Sequence, residues 1–284
     1  VTVTAENNFG FHQENITLRF AAVEGFTHSI RFDFTGYTGV ETLKDFPVFL
    51  KFNSSIPKFG LQSFASNELN DLRFYDHRGR ELNYEIELVQ PSINQFAVWV
   101  QVPEMNATNT ISAYWGNTDL AATTPSYTVD GSTWSNDYRG VWHFRPMNET
   151  ITLTDSTYYR NHASDTSGLT HQESILSAGR SYSGGPDQFI KIPGSSSLDS
   201  LDRGSYTFTS WINMENLPDD KDLDSFLGIG YEANHNDIYF NDIEKLKALP
   251  RSGSRIFQAG PRQGLHLDND ADFRNMNIGI NRND

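Results

Sequence analysis

The 284-residue sequence predicts an all-β protein of two domains, and three observations carry that prediction. Apolar and polar residues alternate with a period of two in one segment after another, as in a strand that buries one face. Aromatic residues make up 13% of the chain and charged residues only 20%, a balance that suits sheets with aromatic faces better than long charged helices. The length exceeds that of a usual single domain, which makes two units of about 100 to 150 residues the default.

Strands are expected in order at "VTVTA" from Val1, "NITLRF" from Asn15, "HSIRFDF" from His28, "FPVFLKF" from Phe46 and "FAVWVQV" from Phe96. Turn signals separate them: "HRGRE" around Gly79, "QPSIN" around Pro91 and "MNATN" around Asn106, spaced as in a meander or sandwich. In the second half "QFIKI" from Gln188, "SYTFTSWI" from Ser205 and "DSFLGIG" from Asp224 repeat the pattern between Gly, Pro, Ser and Asp. Helical spacing occurs in "DIEKLKAL" from Asp242, which predicts a short surface helix. The domain boundary is placed in the polar segment between Phe144 and Asp155, where the strand signal lapses, and no close internal repeat is visible. Just ahead of it, alternation in "GVWHF" sets Val141 and His143 on one face of a strand buried between domains, with Trp142 and Phe144 on the other. No second histidine or carboxylate stands at a ligand spacing beside His143, so it reads as a hydrogen-bonded structural residue. Trp99, Trp115 and Trp211 lie among alternating apolar residues and read as core.

Composition excludes several classes. A net charge of −14 opposes binding to a phosphate backbone, which needs clustered Lys and Arg, so nucleic acid is not an expected partner. Cysteine is absent, and with it disulfides, thiolate chemistry and thiolate zinc sites. No apolar run approaches the about 18 residues of a membrane helix, and no charged-then-apolar leader opens at Val1, so a processed, soluble chain without a membrane span is expected. Asn-x-Ser/Thr sites stand at Asn15, Asn53, Asn106 and Asn148, a number this Asn-, Ser- and Thr-rich chain would produce by chance. There is no Gly-x-Ser-x-Gly elbow, no phosphate loop and no His-x-x-x-His pair.

"DLRFYDHRGRELNYEIE" (residues 71–87), "VWVQVPEMNATNTISAYWGN" (98–117) and "GVWHF" (140–144), with "TLKDFPVFLKF" upstream, resemble the family called domain of unknown function 2341. The likeness runs from about Thr27 to Phe144. Where that family often carries an aromatic after the Tyr-Glu-Ile-Glu element, this chain has Leu88 and Val89. The resemblance implies a β-sandwich of exported microbial proteins, commonly followed by a laminin-G-like, concanavalin-type jelly roll. "DSTYYRNHAS", "GRSYSGGPDQFIKIPGSSSLD" and "SYTFTSWIN" resemble the opening of such a jelly roll, and beyond Leu217 the likeness fades. The expected architecture is therefore all-β, with two β-sandwich (jelly-roll-like) domains in tandem. An N-terminal strand segment covers 1–26, the first module 27–148, and a divergent or incomplete jelly roll 149–284.

Candidate sites rest on residue chemistry. Glu85 and Glu87 stand two apart on a strand, about 6.6 Å apart along the backbone. A glycosidase pair would need a groove and a partner acid, so solvated strand-face glutamates are expected instead. In "DNDAD" the oxygens of Asp268, Asp270 and Asp272 resemble the start of a calcium loop, but Phe273 and Gly279 hold the positions where a helix-loop-helix site needs Gly and Glu. A calcium ion between sandwich loops is the metal expectation, with Asp155 and Asp187 as further ligands, since jelly rolls often carry calcium near such residues. "DDKDLD" from Asp219 reads as an exposed loop. Sugars present apolar C–H patches rimmed by hydroxyls, so the candidate ligand-binding residues are aromatics beside polar side chains: Trp134 with Asn136, and Tyr158 with Tyr159.

The expected function is non-catalytic: a secreted or cell-surface protein that binds a glycan or cell-surface polymer, or mediates adhesion. The alternative is a structural subunit that assembles with copies of itself into an extracellular filament or sheath by strand exchange, since "VTVTA" is a ready-made strand and the second sandwich lacks recognisable closing strands. A glycoside hydrolase is the third reading.

Overall fold

A computed structural model describes residues 24–57, 59–145, 153–163, 170–174, 176–181 and 190–198, together with strands at 2–7, 10–15, 206–212, 227–232, 235–240, 255–257 and 274–280. The protein is all-β, in antiparallel sheets, with no helix of seven or more residues among the described residues. It divides into two compact units, Val1–Thr128 and Val129–Asp284.

In the first unit, β1 (Thr2–Asn7) and β2 (Gly10–Asn15) form a hairpin. β3 (His28–Asp33), β9 (Thr110–Trp115), β5 (Arg73–Asp76) and β6 (Glu81–Leu82) make one sheet in that order. β4 (Leu43–Phe52), β8 (Gln95–Met105) and β7 (Tyr84–Gln90) make a second. The two sheets share one core, as period-two side chains from each turn inward: Ile30 and Phe32, Ile111, Ala113 and Trp115 from one, and Phe96, Val98, Val100 and Val102 from the other. Phe52 binds the layers together. Its ring stacks on Phe96 at 4.2 Å and meets Phe32, Phe59, Phe74 and Trp115 at 5.4, 5.7, 6.3 and 6.4 Å. A buried carboxylate pins the irregular chain ahead of β5. Asp71, fully enclosed, accepts from the amides of Ala65, Ser66, Gly116 and Asn117 at 3.1, 3.3, 2.6 and 3.3 Å.

The expected strands at "VTVTA", "HSIRFDF", "FPVFLKF" and "FAVWVQV" are β1, β3, β4 and β8. "NITLRF" beyond Asn15 lies outside the described residues. Alternation fails within β7, where Ile86 pairs with Val98 and Leu88 with Ala97, so Glu87 is the extra residue of a β-bulge. After it the inward side chain is Val89, not Leu88.

In the second unit, β12 (Ile190–Ile192), β15 (His235–Phe240), β14 (Leu227–Glu232) and β16 (Arg255–Phe257) form a sheet in that order. β10 (Thr170–Glu173) pairs with β11 (Ala178–Ser181), and β13 (Tyr206–Ile212) with β17 (Arg274–Ile280). β17 is a late strand that the sequence reading passed over: Met276, Ile278 and Ile280 alternate with period two, but the residues between them are Asn and Gly, which are depleted in strands. The proposed helix from Asp242 lies outside the described residues. Leu153, Ile190, Ile192 and Leu198 form the core, with Trp142, Phe144, Ala163 and Phe208 packed on it.

The division at Thr128 lies upstream of the polar segment between Phe144 and Asp155. Trp142 forms a β-bridge with Asp155 and, with Phe144, packs on the second unit's core, so "GVWHF" belongs to the second unit and not to the first. Trp211 is a correction to the sequence reading. It is 38% exposed, because Phe208 faces the core and position 211 falls on the opposite face of β13. Trp99 is another: it is half-buried on the face of β8 opposite Val98 and Val100, while Trp115 is core.

Candidate functional site

The best-built polar site lies in the second unit and is organised by Asp155. Its side chain is wholly buried, and each carboxylate oxygen takes two hydrogen bonds: Oδ1 from the amides of Val141 and Thr157 at 2.9 Å each, Oδ2 from the Thr157 hydroxyl at 2.7 Å and the Asn161 amide at 2.8 Å. The Asp155 amide donates to His162 Nδ1 at 2.9 Å, and the Ser156 amide to the Val141 carbonyl at 2.8 Å. Asn161 extends the frame. Its Nδ2 donates to the Arg139 carbonyl at 2.7 Å and to Ser197 Oγ at 2.9 Å, and its Oδ1 accepts from Ser195 Oγ at 2.6 Å.

This frame holds a turn that displays Tyr158 and Tyr159. Their rings lie 4.0 Å apart between centroids, Tyr158 is 58% exposed, and the Arg139 guanidinium sits 5.0 Å over the Tyr159 ring while donating to its hydroxyl. Asp137, fully solvated, lies 4.0 Å from Arg139, and Asn136 beside it is exposed. The hydrogen bond that Tyr158 shares with Tyr159 holds the Tyr158 proton and raises the phenol above its usual range, with burial adding in the same direction. Gly131 backs the turn. Its φ of +97° is left-handed, and a Cβ there would fall 2.4 Å from the Tyr158 amide nitrogen, so neither the conformation nor the space admits a side chain.

The structure thus brings Tyr158, Tyr159 and Asp137 into one neighbourhood through Arg139, a residue the sequence reading did not single out. Trp134 is not an exposed platform, being 4% exposed with its ring packed on Tyr138 and His143 at 5.4 Å each. His143 thereby takes the face opposite Trp142 and Phe144. Asp155, offered as a calcium ligand, is a hydrogen-bond hub whose lone pairs already face donors. Asp187, Asp268, Asp270 and Asp272 lie outside the described residues, as does the acidic run from Asp219. Among the described residues no group of three or more metal-ligating side chains converges.

In the first unit Glu85 and Glu87 are both buried, which corrects the expectation of solvated glutamates. Glu87 Oε2 accepts from the indole Nε1 of Trp99 at 2.9 Å, and Asn83 Nδ2 donates to Gln101 Oε1 at 3.1 Å on the neighbouring strand. A second polar group joins Arg73, Glu81 and Tyr127: the Tyr127 hydroxyl donates to Glu81 Oε1 at 2.5 Å and Arg73 Nε lies 3.4 Å from the same oxygen. Burial first, and then the charge of Glu81, push the phenol of nearby Tyr75 up to about 12. These groups satisfy one another and hold the sheet. No helix among the described residues is long and apolar enough to cross a membrane.

Residues 68–137 match a protein family described as Domain of unknown function (DUF2341), a stretch that includes the buried polar groups of the first unit and ends at Asp137 on the rim of the tyrosine site. The laminin-G-like likeness of the second half has no family match beside it. No curated protein and no solved structure matches the chain.

Proposed function

We propose that this is a non-catalytic secreted or cell-surface protein that binds glycan or mediates adhesion, with Tyr158, Tyr159 and Arg139 as its contact site. The sandwich reading of both units and the extracellular location belong to the same proposal. One observation carries it: an exposed tyrosine ring beside a second one, with a guanidinium over the second ring and the solvated Asp137 carboxylate 4.0 Å from that guanidinium. A sugar ring needs such a flat apolar surface with hydrogen-bonding groups at its margin. Against the Glu85–Glu87 pair as a catalytic couple stand the burial of both carboxyls and the bond from Trp99 that Glu87 already accepts.

The test is a glycan array followed by calorimetry on the ligand retained. Tyr158→Ala should weaken binding about tenfold or more, the worth of one stacked aromatic contact. Retention of a glycan with equal affinity by the variant would reject the site, and retention of none would reject the function. Assembly by strand exchange is the second reading, favoured by the β1–β2 hairpin, which pairs with no other described strand, since a two-stranded ribbon is marginal alone and gains by joining a sheet. Ordered polymers in negative-stain images would select it.

A further inference from the structure

Two of the Asn-x-Ser/Thr sites have described side chains, and both adopt the same local conformation. Asn53 follows the last residue of β4; its Oδ1 accepts from the Ser55 amide at 2.9 Å and the Ser55 hydroxyl at 2.6 Å. Asn106 follows the last residue of β8; its Oδ1 accepts from the Thr108 amide at 3.0 Å, the Thr108 hydroxyl at 2.9 Å and the Asn109 amide at 2.9 Å. In each case the hydroxyl two residues on holds the amide oxygen inward, which turns Nδ2 away from the turn. The residues between, Ser54 and Ser55 in one and Ala107 and Thr108 in the other, are exposed. Asn53 Nδ2 makes no hydrogen bond to a described residue, and Asn106 Nδ2 donates to Thr42 Oγ1 at 3.2 Å.

We propose that Asn53 and Asn106 are acceptors for N-linked glycans. Nδ2 attacks the anomeric carbon of a glycosyl diphospho-polyprenol; the C–N bond forms, the C–O bond to phosphate breaks, polyprenyl diphosphate leaves, and one amide proton passes to a base of the transferase. The placement of the two sites gives the modification a consequence. β4 is the end strand of its described sheet, Asn53 directly follows it, and Asn106 bonds to Thr42, the residue directly ahead of it. Glycans there would stand at both ends of a ten-residue strand edge and keep it from pairing with another chain.

The proposal shares with the adhesion reading only the premise of export, and transfer in vitro tests it without that premise. Folded full-length protein is incubated with an oligosaccharyltransferase that accepts Asn-x-Ser/Thr and a synthetic glycosyl diphospho-polyprenol, and peptides are mapped by mass spectrometry; urea-unfolded protein diluted into the same reaction is the positive control. Glycan mass is expected on Asn53 and Asn106 of the folded chain. Ser55→Ala should abolish it at Asn53, and Thr42→Ala should raise the rate at Asn106 about fivefold, the worth of one ordinary hydrogen bond, with Asn53 unchanged. Modification of the unfolded chain alone, or no response of Asn106 to Thr42→Ala, would overturn the proposal. Loss of glycan binding by Tyr158→Ala leaves this result untouched, so the two readings fail separately.

Discussion

Asp76 shows what one side chain does for the first unit at the residue scale. It closes the β5–β6 hairpin, accepting from the amides of Arg78 and Arg80 at 2.9 Å each and from the Arg80 guanidinium at 2.7 Å, while Gly79 supplies the left-handed turn with φ of +79°. Burial alone would raise its pKa; the Arg80 amide and guanidinium and the Arg78 amide outweigh burial and hold the carboxyl below its usual range. In the unfolded chain the same group titrates near about 3.9, so as pH falls the unfolded state takes up the proton first. The stability Asp76 contributes is whole above about pH 4 and is lost as pH drops toward the folded value. Thermal unfolding followed against pH checks this: Asp76→Asn should lower the midpoint at neutral pH and flatten the acid limb below about pH 4. An unchanged acid limb would assign the loss to other carboxylates.

At the scale of elements, the Tyr158 turn depends on Gly131 more than a hairpin depends on its glycine. Gly79 and Gly131 both have positive φ, but a Cβ at Gly79 meets nothing within 4 Å, whereas at Gly131 it meets backbone. Gly79→Ala should therefore cost only conformational strain of about 1 kcal/mol, and Gly131→Ala about 2 to 3 kcal/mol together with loss of glycan binding. Differential scanning calorimetry with a binding assay separates the two; equal losses would show that the 131–158 packing carries no weight. Elements were legible in the sequence where period two ran through strand-favouring residues, as in β3, β4 and β8. They were not legible where geometry departs from the period. The bulge at Glu87 shifts Leu88 outward, and nothing in "YEIELVQ" marks it, because a bulge of this kind is set by pairing with β8 and not by local composition. The tyrosine pair was visible as residue types, but Arg139 joins it through a frame built on Asp155 and Asn161, contacts across about 20 residues of chain that no spacing rule encodes.

On the scale of the whole molecule, each unit carries its own core, so unfolding should not be a single step. Phe52→Ala empties the centre of the aromatic cluster and should destabilise the first unit by about 3 to 5 kcal/mol. In a urea titration followed by near-ultraviolet circular dichroism, one transition should move to lower denaturant while the other stays in place. A single shifted transition would mean that the units unfold together. The boundary was harder to find than the domains, because "PMNETITLT" has the polar composition of a linker. The contacts that decide the matter are those of Trp142 and Phe144, whose aromatic side chains belong to the core of the second unit.

The clasp between Val141 and Asp155 gives the second unit a mechanical property. Because Val141 bonds to Asp155 and Ser156, two points of the chain fourteen residues apart are tied together, and tension along the backbone cannot part them until those bonds break. Since the same carboxylate also holds Thr157 and Asn161, a pull that broke this tie would loosen the turn carrying Tyr158 as well.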